Sequence, residues 1–335
     1  MRRLARRLAW SVFVVWGVVT IAFVIDDLLP GDPARMAAGP QARPADVARI
    51  REQLGLDRPP ALRYEIFWRR LVHVGPRDPG ADPAHASCFV AAPLGASAVH
   101  VDLGKSFQRR VPVVDLVVTR LPRTFALAVA GVLLQLALGV TAGTFAALYR
   151  GSRLDRLIVG TSLLGVSVPT FLIALVLQYV LAHELRWLPL DGFGTTLAEH
   201  ARCLVLPAVT LGIYGTAYYT RLVRDEMSVL LQKDWIRTAQ AKGLSRPRVV
   251  VLHALRNALV PIATAAGLDF GTLMGGAVVT ETVFRWPGLG ELSVRATLDR
   301  DGPVIIACVV LTAIAIVASN VVVDLLCAAL DPRLD

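Results

Sequence analysis

The chain has 335 residues, a formal charge of +9 and a mean hydropathy of +0.56, with 18% charged residues. Soluble domains carry about 25% charged residues, so this composition, with several apolar runs of about 20 residues, excludes an ordinary soluble domain and predicts a polytopic membrane protein. The basic residues flank apolar runs and do not gather on one soluble face, which excludes a nucleic-acid surface. There are four cysteines and no C-x-x-C pair, so no zinc or redox framework is expected.

Arg2, Arg3, Arg6 and Arg7 precede the first apolar run, 8–29. The run exceeds a signal-peptide core and no small-x-small site follows it directly, so it reads as a retained first span with a cytoplasmic N-terminus. Asp26 and Asp27 mark its outer end. From 31 to about 122 the chain is polar, proline-rich and mixed in charge, and it cannot cross a bilayer. Within it 46–54 and 62–72 read as short helices, the second amphipathic with Tyr64, Phe67 and Trp68. The stretch 75–100, rich in Pro, Ala and Gly, reads as a loop, and 111–121 as a short interfacial helix.

Thr124 opens a second span, 124–149, where Gly139 and Gly143 form a small-x-x-x-small pair. A basic turn with Arg150, Arg153 and Arg156 follows. The third span, 157–182, has Pro169 as an expected kink, and 203–220 is a fourth. The fifth, 257–283, carries Asp269 and three glycines at four-residue spacing, Gly267, Gly271 and Gly275. The sixth is 303–330. Arg and Lys concentrate before the first span, in the Arg150 turn and between 221 and 257, so both termini are expected inside. The domains read as 1–30 (flank and first span), 31–123 (extracytoplasmic segment) and 124–335 (five-helix core). Cys88 and Cys203 then lie outside, where a disulfide is permitted, although sequence separation does not fix its geometry.

The polar stretch 221–261 organises the second half. Met227, Leu231, Trp235 and Ala239 recur every fourth residue, which predicts one apolar helical face. Gly243 breaks the pattern, Ser245 is placed as an N-cap with Pro247 in the next first turn, and a second helix runs through Val249, Leu252 and Leu255. A basic amphipathic element of this kind either lies on lipid or docks a partner.

The wording of the stretch goes further than its pattern. Asp234-Trp235-Ile236-Arg237-Thr238-Ala239-Gln240-Ala241-Lys242-Gly243-Leu244, followed by His253-Ala254-Leu255-Arg256-Asn257-Ala258-Leu259-Val260-Pro261, resembles the coupling loop of ABC-importer permeases. It is most similar to the branch importing dipeptides, oligopeptides and nickel. Arg237 stands where the signature usually has Glu, and Leu255-Arg256 where it has Leu-Pro; both departures are typical of the peptide branch. Similar words recur at 28–33, 54–59, 102–106, 281–290 and 330–335, whereas 75–100 is longer than the family norm.

The resemblance implies an all-α, six-helix, type I permease in a bacterial inner membrane, one half of a pathway for peptides. It implies that Asp234, Arg237, Thr238, Ala239, Lys242, Gly243 and Leu244 insert into a cleft on an ATPase subunit. A homologous second permease chain, two ATPase chains and an external substrate-binding protein complete the assembly it implies. ATP and Mg would be bound by the ATPases, with no cofactor in this chain.

Asp269 belongs in a wet or protein-lined place, because an intramembrane charge normally faces one. With Gly267, Gly271, Gly275 and Glu281 it is the candidate for the pathway or the partner-permease contact. No G-x-x-x-x-G-K-[ST], H-E-x-x-H or G-x-S-x-G occurs, so the chain is expected to be no enzyme. His73, His85 and His100 are widely spaced in a stretch of no predicted shape and read as solvated, with no metal site. A gradient-driven carrier using Asp269, or an importer of nickel or another small solute, remains the alternative; a membrane enzyme or insertase lacks its catalytic constellation.

Overall fold

A computed structural model describes residues 2–28, 31–39, 41–76, 88–94 and 97–330. They divide into two compact units, Met1–Pro122 with Gly288–Ile314, and Arg123–Pro287 with Ala315–Asp335. The expected tail motif beyond 330 and His85 lie outside the described residues.

The first unit opens with α1 (Arg2–Leu28), which leaves Trp10, Phe13, Ile21 and Ile25 exposed along an apolar length. Asp32 caps α2 (Pro33–Ala38) by accepting from the Ala34 amide at 3.0 Å. Next come α3 (Pro44–Gln53) and α4 (Pro60–Leu71), each opening on a proline that suits the first turn. Helices of this length are marginal alone, and α4 finds its partner on α1. Phe67 and Trp68 pack around Val15, Val19 and Phe23, and the Tyr64 and Thr20 hydroxyls share a 2.7 Å hydrogen bond.

Of the expected loop at 75–100, residues 75–76, 89–94 and 97–100 belong instead to a sheet, while 77–87 and 95–96 lie outside the described residues. Strands β1 (Val72–Pro76), β2 (Phe89–Leu94) and β3 (Ser97–Val101) pair antiparallel in the order β1-β3-β2. His73 faces His100 across β1 and β3, Phe89 faces Val101 across β2 and β3, and the register shifts at Val90/Ala92. Strands of five or six residues with Gly, Pro and Ala carry little alternation, and cross-strand partners leave no local trace in one sequence. Beyond the sheet Asp102 accepts from the Gly104 amide at 2.8 Å and from Arg70 at 2.9 and 3.2 Å. The expected interfacial helix shortens to α5 (Val113–Val118).

The second unit begins within α6 (Leu121–Leu148). Ser152 caps α7 (Arg153–Ser167), and α8 (Thr170–Leu177) continues as a π turn over Gln178–Glu184. The expected kink at Pro169 is a break: the two halves bend by 97°. Its cause is local, because Val168, held before a proline, leaves the helix for φ −90°, ψ 130°. A Thr196/Glu199 capping box starts α9 (Leu197–Leu230), which at 34 residues overruns the expected 203–220 span and absorbs the front of the basic stretch.

Three elements follow α9: α10 (Asp234–Ala241), α11 (Arg246–Arg248) and a π turn over Val249–Leu255. They lead into α12 (Arg256–Met274), which stops at Gly275, its C-cap, before Gly276 at φ +106° and α13 (Val278–Val283). The expected span to 283 therefore ends early.

At Gly288 the chain re-enters the first unit with α14 (Leu289–Leu298) and the front of α15 (Gly302–Leu330). Leu289, Leu292, Val304 and Cys308 cluster there with Val113 and Val117, and Ile306 and Val310 join the aromatic group on α1 and α4. Asp301, 4% exposed, accepts from the Ser106 hydroxyl and, at 2.9 Å, from the Phe107 amide. Among the described residues five helices are long and apolar enough to cross a membrane, and the bent α7–α8 pair makes a sixth if counted as one span. Cys88 and Cys203 are free thiols.

Candidate coupling surface and interhelical pair

One apolar cluster in the second unit positions α10. Ile236 and Ala239 of α10 are buried with Val223 and Met227 of α9, Val249, Val250 and Ala254 of the π turn, and Ala258 and Ile262 of α12. The expected unbroken face through Met227, Leu231, Trp235 and Ala239 is corrected here. The turn at 231–233 resets the helical phase, so Trp235 is 40% exposed while Ile236 faces in. The π winding does the same to the second helix, where Leu252 is exposed and Val249 and Val250 are buried. Ser245 occupies the N-cap position without making a side-chain cap bond, and Pro247 sits in the first turn as expected.

The end of α10 is a Schellman motif. Gly243 stands at φ +83°, its amide donates to Gln240 O at 2.9 Å, and the Leu244 amide donates to Ala239 O at 3.3 Å. Leu244 packs on the same cluster that holds Ala239. A Cβ on Gly243 would meet nothing within 4 Å, so the glycine is there for its backbone angle and not for room.

This packing sorts the expected coupling residues into two sets. Ala239 faces its own chain, and Leu244 is half-buried beside it. Asp234, Arg237, Thr238, Lys242 and Gly243 are exposed and form the outward surface. The Asp234 and Arg237 side chains are 98% and 76% exposed and 3.9 Å apart, a separation worth little in stability.

A half-buried ion pair braces the helix that leads to this surface. Arg224 on α9 grips Asp155 on α7 with both prongs, Nε to Oδ1 at 2.6 Å and Nη2 to Oδ2 at 2.8 Å. The Gly151 amide donates to the same carboxylate at 2.9 Å. The Asp155 side chain is 4% exposed, so the fork geometry of arginine matters more here than charge alone.

The second candidate set is split by the structure. The Tyr219 hydroxyl of α9 donates to Asp269 of α12 at 3.3 Å, and Asp269 is half-buried. Gly267 lies against Val323, and a Cβ on Gly271 would sit 3.2 Å from the Ile316 Cα and 3.3 Å from the Ser319 Cβ. These two glycines therefore seat α12 on α15, whereas Gly275 caps a helix. Glu281 is fully enclosed; it accepts from the Thr124 hydroxyl at 3.1 Å, and its carbonyl accepts the Trp286 amide at 2.8 Å.

His73, Cys88 and His100 are a grouping that the sequence reading did not make. Only the strand register brings Cys88 near the two histidines.

Residues 139–335 match the family model described as binding-protein-dependent transport system inner membrane component, and residues 1–128 match the N-terminal model of the same kind of component. The chain is 36% identical over 329 residues to the glutathione transport system permease protein GsiC of Escherichia coli K12, covering 98% of this chain and 97% of that one. A Brucella abortus protein, provisionally named a peptide transport system permease, is 36% identical over 332 residues, with the same coverage. An inward-facing structure of the MetNI methionine ABC transporter aligns with a TM-score of 0.56 at 17% identity, over 66% of this chain and 98% of that one. That last likeness is one of fold.

Proposed function

The chain belongs to the family of binding-protein-dependent transport system inner-membrane components, and from that premise we propose that it forms half of the membrane pathway of an ATP-driven importer of short peptides. Relatives named for glutathione and peptide transport support the substrate class. Choice among peptides would rest largely with an external binding protein. The completed assembly has a homologous second permease chain, two ATPase chains that bind ATP and Mg, and both termini of this chain on the cytoplasmic side.

The observation that carries the reading is the division of α10 into an inward apolar face and an outward polar one. An ATPase cleft that takes hold of Asp234, Arg237, Thr238 and Lys242 holds a helix already seated on α9, the π turn and α12. Closing the ATPase pair would then move α9 through α10. Tyr219 lies five positions before Arg224 on α9, about 7.5 Å along the axis, so the pair it makes with Asp269 feels the same displacement. Asp269→Asn should leave assembly intact and perturb transport.

The test replaces Arg237 and Lys242 with Glu in the reconstituted complex. The variant should insert and fold, lose co-purification of the ATPase and lose peptide uptake. Normal ATPase capture with normal uptake would overturn the reading. Uptake by this chain alone, abolished by an ionophore, would establish the gradient-driven alternative instead.

A further inference from the structure

We propose that His73, Cys88 and His100 form a binding site for one zinc-class transition-metal ion on the three-stranded sheet. Their ligand atoms all lie within 4.8 Å of one another, and Cys88 Sγ is 3.7 Å from His73 Nε2. Ligands bound tetrahedrally at 2.0–2.3 Å stand about 3.3–3.8 Å apart, so closure asks for movement of about an ångström. The proposal is independent of the transport reading, since it concerns binding to this chain and not uptake.

The strand register explains the grouping. His73 and His100 are directly paired across β1 and β3, so their side chains share one face, and their rings stack 5.5 Å apart. Val90 of β2 also faces His100. Cys88 precedes Val90 by two residues and, by alternation, falls on the same face. Three residues scattered over 28 positions of sequence thus meet because three strands pair.

The hydrogen bonds orient the rings for this use. His73 Nδ1 lies 2.9 Å from Arg70 O, and His100 Nε2 lies 2.8 Å from Pro76 O. A ring nitrogen facing a carbonyl must carry the proton, which leaves the lone pairs on His73 Nε2 and His100 Nδ1. Histidines that hold metals are commonly anchored through the other nitrogen in this way. Two imidazoles and one thiol, with no carboxylate among them, select a borderline or soft ion over Mg or Ca.

Burial and the neighbouring Asp102 hold the Cys88 thiol above its ordinary pKa, against Arg70. An arriving ion displaces the Cys88 proton to the solvent. Once bound, the ion links β1, β3 and the residue entering β2.

The test titrates the full-length chain in detergent with Co2+ and then with Zn2+. One equivalent of Co2+ should give a thiolate charge-transfer band in the near ultraviolet, and Zn2+ should abolish it. Cys88→Ser should remove the band, and both Cys88→Ser and His73→Ala should weaken Zn2+ binding by at least about 10-fold. Both positions are only partly buried, so these variants are suited to keeping the fold, which amide exchange of β3 checks. Cys203→Ser and His183→Ala should change nothing. No saturable binding at one equivalent, an undiminished band in Cys88→Ser, its loss in Cys203→Ser, or displacement of Co2+ by equimolar Mg2+ would each overturn the proposal.

Discussion

The segment around α10 and the sheet of β1–β3 are both assemblies of short elements in a largely helical chain, and opposite means hold them together. The α10 segment is organised by side chains. Ile236, Ala239, Val249 and Ala254 close on Val223 and Met227, and the backbone cap at Gly243 only finishes the turn. In the sheet the side chains bury little: Val72, Val74 and Phe89 are exposed, and Ala98 and His100 are the buried residues of β3. There the backbone register does the organising. An element fastened by side chains can carry a partner's pull into the helices behind it; one fastened by register positions distant residues against each other.

The sharpest way to break the contrast is at the brace of the first region. Arg224→Ala leaves the enclosed Asp155 carboxylate with the Gly151 amide but without its fork, and a buried acceptor that loses its partner costs about 1–3 kcal/mol. Thermal unfolding in detergent should show the fall, and Arg224→Lys should recover only part of it. Overpacking comes next. Ala239→Leu forces methyl groups into a closed cluster, at a cost of about 1–3 kcal/mol, and the loss should appear in the purified chain without any ATPase. A cost seen only in the complex would move Ala239 to the docking surface.

Gly243→Ala places a Cβ at φ +83°, worth about 1–2 kcal/mol, while Gly243→Asn should cost less because asparagine tolerates that region. Equal losses in the two would mean that room, not backbone angle, selects the glycine. The smallest effect belongs to the sheet. Val74→Thr, on an exposed edge position, should stay within about 0.5 kcal/mol by denaturant titration. A larger loss would put side-chain packing back into the sheet's account.

The same contrast explains what could be read in advance. The long apolar runs gave the spans, and the wording from Asp234 to Leu244 placed α10 and its glycine turn. Periodicity misplaced Trp235 because it assumed one unbroken helix, while three residues, 231–233, are enough to reset the phase. Pro169 announced a disturbance but not its size, which depends on Val168 adopting extended backbone. The brace between Asp155 and Arg224 joins residues 69 apart, and the Thr124–Glu281 bond joins residues 157 apart. Neither pairing has a local signature. The sheet was missed for the same reason: its information lies between strands.

The glycines of α6 and α9 carry a mechanical consequence. A Cβ on Gly143 would stand 2.6 Å from Thr220 O and 2.7 Å from the Val223 Cβ, and one on Gly212 would stand 2.6 Å from the Leu134 Cδ2. Gly139 meets Tyr219, and Gly215 meets Gln135, just as closely. Each helix thus supplies notches for the other, in both directions along its length. Two rods notched into each other cannot slip by one residue without driving side chain into backbone at four places at once. A pair locked in this way is expected to move as one piece when α9 is displaced at its Arg224 end.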